Sequence, residues 1–178
     1  MFISEVFEGA PEEKRGELET KVYEKLKELK ISFTRIDNDP ADTMEECVAL
    51  DERLGAEIRK TIVVCNRQKT KFYLVVLPAE KPFDTKTFCA KLECPRVSFA
   101  SAELMQEKLG VVPGCATIMG VLNDTENQVQ VVVDREVAEA EWFACNPGVN
   151  TSHIKFRTTE LLNTFLPQVS HEAVIAEL

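Results

Sequence analysis

The 178-residue sequence has only two histidines, His153 and His171, both far down the chain. It has no cysteine pair at C-x-x-C spacing, although six cysteines are present: Cys47, Cys65, Cys89, Cys94, Cys115 and Cys145. Neither pattern suits a tetrahedral zinc site. A Ser-His-Asp or Cys-His nucleophile set has no motif to stand on. There is no Walker loop and no G-x-G-x-x-G turn, so the usual sequence marks of a nucleotide cradle are missing. No apolar run approaches the length of a membrane span. The amino terminus, MFISEVFEGAPEEKRG, is acidic and lacks a basic segment followed by an apolar core. The expectation is a cytosolic chain without a secretory leader. In that compartment the thiols are expected reduced and mostly buried. Basic residues are also in deficit: 21 Lys and Arg against 30 Asp and Glu, a net charge of −9. That argues against broad nonspecific nucleic-acid binding, which needs many cations. It leaves room for a small basic cleft that takes the end of a nucleic acid.

What is present reads as a globular α+β domain. Apolar residues make up 44% and charged residues 29% of the chain. Leu18, Val22, Leu26 and Leu29 share one stripe and predict a helix over 11–30 that opens at Pro11. ISFTRI reads as a strand. Thr43 and Glu46 form a capping-box pattern for a helix that stops near Gly55. KTIVVCN and FYLVVLP read as strands joined through RQKT. Asp84 caps a helix through Leu92, PRVSFA is a short strand, and Ser101 and Gly110 bracket another helix. NQVQVVVD is a strand, DREVAEAEW a helix, NTSHIKFR a strand, and TTELLNTFL a helix capped by Thr158 or Thr159. Strands and helices interleave without a regular βαβ period. The expected architecture is one domain over 18–178 with a mixed β-sheet and short helices, preceded by a loosely held extension over 1–17.

Four places could carry chemistry. VPGCATIMGVLND, residues 112–124, is a nearly charge-free stretch framed by glycines. It could let a ligand approach backbone amides, or it could be a bend into the core. Cys115 inside it reads as a small core residue, because no basic neighbour in sequence would activate its thiol. Lys60 opens an apolar strand and could project a cation into a cleft, although most lysines are merely solvated. NPGVNT, residues 146–151, is a turn-rich loop before the last strand. Thr43 could face a cleft, and helix capping explains it equally well.

Taken in order, KTIVVCN with its hairpin into FYLVVLP, KPFDTKTF, RVSFASAELM, LGVVPGCATIMGVLND, VQVVVD and NPGVNTSHIKF resemble the prolyl-tRNA editing domain family, also called the YbaK or prolyl-tRNA-synthetase-associated domain. The resemblance runs from about residue 20 to the end and is closest to freestanding members that act in trans. It implies an aminoacyl-tRNA deacylase that cleaves the ester between a wrong amino acid and the terminal adenosine. Freestanding relatives typically clear alanine from proline tRNA, and others clear cysteine or serine. The chemical need is clear: a pocket shaped for proline rejects a smaller side chain by only about 1–3 kcal/mol per missing methylene. The resemblance assigns Lys60 to the tRNA end and the charge at the ester, and Gly114 to the aminoacyl carbonyl. Cys115, Ala116 and Thr117 keep the pocket small. Asn146, Asn150, Thr151 and Thr43 are secondary substrate-binding candidates. No metal or cofactor is implied. The implied partner is the acceptor end of a mischarged tRNA, with prolyl-tRNA synthetase as a further candidate. Water is the attacking group, with the ribose hydroxyl of the substrate as an assisting group. The chain departs from the pattern at Thr61, where many members have asparagine. It departs again at Asn146 and Asn38, where histidines are common. The alternative is a noncatalytic module of the same fold that binds an aminoacyl-tRNA end, a small aminoacyl ligand or a protein partner.

Overall fold

All six positions of FYLVVL are buried, and the strand they form has neighbours on both sides. A computed structural model describes residues 1–178 and places the strands in two sheets. The first sheet has the order β5-β3-β4-β6-β9, with β3 at Lys60–Asn66, β4 at Phe72–Leu77, β5 at Val97–Phe99, β6 at Val129–Asp134 and β9 at Ala173–Ala176. β3 pairs antiparallel with β4 and β5, while β4, β6 and β9 run parallel. The second sheet is antiparallel in the order β1-β2-β8-β7, with β1 at Phe7–Glu8, β2 at Thr34–Asp37, β7 at Trp142–Cys145 and β8 at Ser152–Arg157. One parallel bridge, Ile58 to Ala144, joins the segment before β3 to β7, and the Arg59 amide donates to the Ala144 carbonyl at 3.0 Å.

The layers follow from strand alternation. Val63 and Cys65 of β3, Leu74 and Val76 of β4, and Phe143 and Phe156 of the second sheet share a 27-residue core. Helix α1 (Glu17–Glu28) and helix α4 (Ala102–Leu109) close it with Val22, Leu26, Met105 and Leu109. The opposite parity, Val64, Val75 and Leu77, packs on Phe88 of helix α3 (Thr85–Leu92). On the outer face of the second sheet, Ile36 and Ala144 pack on Leu50 and Leu54 of helix α2 (Met44–Leu54). Each fully buried Leu, Val or Phe contributes roughly 1.5–3 kcal/mol.

The helix signals resolve as local chemistry. The Thr43 hydroxyl accepts from the Glu46 amide, and the Glu46 carboxylate accepts from the Thr43 amide, both at 3.1 Å. Gly55, at φ 78°, closes α2. Asp84 and Ser101 cap α3 and α4.

Several expectations give way to tertiary forces. Helix α1 begins at Glu17 instead of Pro11, because Arg15 is drawn across to Asp37 on β2. DREVAEAEW splits into helix α5 (Arg135–Glu139) and β7. There Phe143 faces the core, and Lys155 and Arg157 lie 4.7 Å over the Trp142 ring. The stretch before β6 forms a buried 3-10 turn, Ile118–Asn123, capped by Thr117. The last helical run, Thr158–Glu160, Leu161–Phe165 and Leu166–Gln168, includes a π turn and has no side-chain cap at its start. Only Cys65 and Cys145 are buried, Cys47 is exposed and the other three are intermediate, so the thiols are less enclosed than expected.

Residues 1–17, expected as a loose extension, are stitched along β2. Phe7 and Glu8 pair with Arg35 and Thr34, Ile3 bridges Asn38, and the Ser4 hydroxyl accepts from the Asp37 amide at 2.8 Å. Asp37 is the knot. Arg15 meets its two carboxylate oxygens at 3.0 Å each, and Arg35 pairs with it as well. Burial alone would raise this carboxyl, but the two guanidinium groups override it and hold it well below the usual range. One strand turn on, His153 shares a hydrogen bond of 2.9 Å between Nδ1 and Asn38 Oδ1. The ring is 8% exposed, and burial pushes it down to about 4.

These two sites both lose stability in acid, in different pH windows. Asp37→Asn should cost about 2 kcal/mol at pH 7, since hydrogen bonds to charged groups contribute about 1.5–3 kcal/mol. A depressed carboxylate stabilises fully above its unfolded value of about 4, so the gap to wild type should narrow as pH falls below it. Denaturant melts at pH 7 and pH 3 measure this. His153 is held neutral in the fold, while the unfolded chain takes up a proton near pH 6.5. Stability from this residue is complete above about pH 6.5 and falls toward pH 4, by at most about 3 kcal/mol at ~1.4 kcal/mol per unit. His153→Gln should flatten that part of the pH–stability curve; an unchanged slope would place the titration elsewhere.

Candidate active site

Lys60 is the first residue of β3, opposite Leu77, and its ammonium donates to the Lys81 carbonyl in the segment that follows β4. Lys81 in turn pairs with the fully buried Asp134 at 2.9 Å. That segment forms one wall of a cleft of about 690 Å³ whose other wall is α2. Met44, Cys47 and Val48 supply an apolar strip there, with Met44 62% and Val48 47% exposed. Five carboxylates, Asp51, Glu52, Glu57, Glu80 and Glu136, also line the cleft. Burial raises the Asp51 carboxyl above its ordinary value.

The glycine-framed stretch begins as a tight turn. The Cys115 amide donates to the Val112 carbonyl at 3.0 Å, with Pro113 second and Gly114 third at φ 88°. Proline then glycine is the residue order of a type II turn. Gly114 is exposed, and a Cβ there would touch nothing within 4 Å. Its glycine is demanded by the backbone angle, and the space beside it is open. Cys115 and Ala116 are half-buried, and Thr117 is fully buried.

The turn is tied to the loop after β7. The Thr117 hydroxyl donates to the Asn146 carbonyl at 2.7 Å, and Asn146 Nδ2 donates to the Ala116 carbonyl at 3.2 Å. Asn146 Oδ1 also accepts from the Gly148 amide at 2.8 Å. Cys145, just before, packs against Thr117, and burial pushes its thiol up to about 12. Asn150 and Thr151 are exposed and act through their backbone. Their carbonyls accept from Asn38, from Nδ2 at 3.1 Å and from the amide at 3.0 Å. The Thr43 hydroxyl is engaged in capping α2, one wall of the cleft.

The Ile58–Ala144 bridge relates these groups. Counted from it, Lys60 at the start of β3 and Asn146 in the loop after β7 each lie two residues further on. Lys60 turns to the Lys81 carbonyl, while Asn146 and the glycine turn are bound to each other. Sequence reasoning did not single out His153 or the Met44–Val48 edge. A histidine inside SHIKFR and apolar residues at i and i+4 outside the core stripe of α2 were the available signals. No group of three or more His, Cys, Asp or Glu is arranged to hold a metal ion, and no helix is long and apolar enough to cross a membrane.

Residues 38–164 match the model of the aminoacyl-tRNA editing domain family. The prolyl-tRNA editing protein ProX of Acetoanaerobium sticklandii is 33% identical over 133 residues, covering 75% of this chain and 81% of that protein. The prolyl-tRNA synthetase associated domain-containing protein 1 of Danio rerio is 30% identical over 168 residues, covering 93% of this chain and 88% of that protein. A solved structure described as a candidate trans-editing enzyme for prolyl tRNA synthetase superposes with a TM-score of 0.67 at 15% identity, covering 93% of this chain and 98% of that one. The matched span includes Lys60, the Gly114 turn and the Asn146 loop, and the chain belongs to the aminoacyl-tRNA editing domain family.

Proposed function

We propose that the chain is a trans-acting aminoacyl-tRNA deacylase, and that alanine esterified to proline tRNA is its first substrate. The observation that supports this reading is the editing-family match over a span that includes Lys60 and the open Gly114 turn, with that turn tied to Asn146. The name of the ProX relative supports proline tRNA as the carrier.

In this reaction the Lys60 ammonium leaves the Lys81 carbonyl and meets the negatively charged end of the RNA. It also stabilises the charge that grows on the ester oxygen. The Gly114 and Ala116 amides, which have no protein acceptor, lie where backbone donors can take the oxyanion. Water adds to the carbonyl carbon, the bond to the ribose oxygen breaks, and that oxygen takes a proton as the amino acid leaves as its acid. Cys115, Ala116 and Thr117 limit the side-chain space, so the site works as a second and smaller sieve. Asn146 holds that wall by its bond to the Ala116 carbonyl. Asn150, Thr151 and Thr43 support the surrounding loops through the contacts described above.

Lys60→Ala should lower the deacylation rate about ten- to a hundredfold, since a charge-assisted contact made in the transition state contributes about 1.5–3 kcal/mol. Its melting temperature should stay near wild type, because the ammonium extends from the end of a strand. Single-turnover assays on alanyl-tRNA for proline, with a melt alongside, test this. An unchanged rate in a folded variant would return Lys60 to an ordinary solvated lysine. No turnover by wild type of alanyl, seryl or cysteinyl esters would favour the noncatalytic binding module.

Asn146→His exchanges a short neutral amide for a longer ring. Losing the tether to Ala116 should move the pocket wall and change the ranking among alanyl, seryl and cysteinyl esters. It should also introduce a pH dependence between about 6 and 7, where an imidazole titrates. Equal rankings and flat pH profiles in a folded variant would remove the loop from the amino-acid pocket.

A further inference from the structure

The far end of β3 has the opposite electrostatic character from the end that begins at Lys60. A groove of about 700 Å³ lies along β5, one of the two edge strands of the five-stranded sheet. Its ten lining residues include Arg67, Lys69 and Arg96 and no carboxylate. None of the three cations makes an ion pair or a side-chain hydrogen bond within the protein, and all are exposed. The cleft beside Lys81 has five carboxylates for one cation. In a chain with net charge −9, a carboxylate-free basic groove is a local exception. Phe99 stands on its wall at 64% exposure, with only Phe83 as a ring neighbour at 6.1 Å. Unpaired cations beside an exposed aromatic face fit an RNA strand, whose phosphates take the cations and whose bases take the ring.

The spacing supports the same occupant. Lys60 and Asn66 are the two ends of β3, and seven strand residues span about 20 Å. Each nucleotide on one strand of a duplex advances about 3.4 Å along the helix axis, so this corresponds to roughly six stacked nucleotides. We propose that the groove along β5 holds the ribose-phosphate backbone of the tRNA several nucleotides away from its aminoacyl end, with Phe99 packing on a base or ribose of that strand. This rests on the reading of the chain as acting on an RNA-borne ester. It adds a second contact that lets an acidic protein hold a polyanion by one basic track.

The test uses full-length protein with Arg67→Ala, Lys69→Asn and Arg96→Ala combined. Asparagine is chosen because residue 69 has φ 57°, which it tolerates. Binding of fluorescently labelled uncharged tRNA is read by anisotropy over a salt series, and hydrolysis of alanyl-adenosine is read in parallel. The expected result is a roughly tenfold or greater loss of tRNA affinity and a fall of about two to three in the salt slope. Turnover of alanyl-adenosine should be unchanged. Phe99→Ala should lower affinity about fivefold or more with the slope unaltered. Wild-type affinity and slope in the triple variant would overturn the groove, even if alanyl-adenosine is hydrolysed and the deacylase reading stands. If wild type hydrolyses neither alanyl-adenosine nor charged tRNA while the triple variant still loses tRNA, the groove stands and the deacylase reading falls. An equal loss of affinity for polyglutamate would mark a site for any polyanion and overturn the RNA assignment.

Discussion

A single parallel bridge between Ile58 and Ala144 is the constraint on which the arrangement depends. It is a short contact, closed by one amide-to-carbonyl bond from Arg59, yet it is the recorded strand pairing between the two sheets. Its register decides which loops leave the seam together. Beyond it the backbones diverge, β3 toward β4 and the Asn146 loop toward the glycine turn. A slip of one residue would reverse the facing of Lys60 relative to the core and send Asn146 away from Ala116. The 27-residue core on one side and the α2 cluster on the other hold that register in place.

The polar groups at the seam are fixed before any substrate arrives. Asn146 spends both ends of its amide on backbone, one on Ala116 and one on Gly148. Asn38 does the same work between Asp39, Asn150 and His153. Both are positions at which the sequence departs from the resembled pattern. In this chain the positions hold loops together and do not titrate. The chain does retain an imidazole nearby in His153, but burial keeps it neutral, so it serves the β2–β8 seam.

Charge is distributed along the length of β3. Carboxylates dominate the cleft beside its first residue, relieved by Lys81, while the groove at its last residue has cations and no carboxylate. An anionic ligand is thus repelled from most of the surface and attracted at few points, which favours register over raw affinity.

The local signals in the sequence were sufficient for every element whose chemistry is contained in a few residues. The Thr43–Glu46 capping box, the Asp84 and Ser101 caps, the Gly55 and Gly110 stops and the β3–β4 hairpin need only near neighbours, and each formed where the sequence put it. The glycine stretch was also legible as unusual, because Pro113-Gly114 demands a turn. Other features needed partners distant in sequence. β7 takes Trp142 from a helical pattern because Phe143 and Phe156 meet across the strands. β9 exists because β6 offers a parallel edge. Residues 1–17 are ordered by Arg15 reaching Asp37. The bonds from Thr117 and Asn146 span about thirty residues, and the approach of the segment before Lys60 to β7 depends on one bridge between the sheets. Sequence determined the pieces because caps, turns and alternation act over a few residues. Tertiary structure decided the site because its parts touch only after two sheets close on one core.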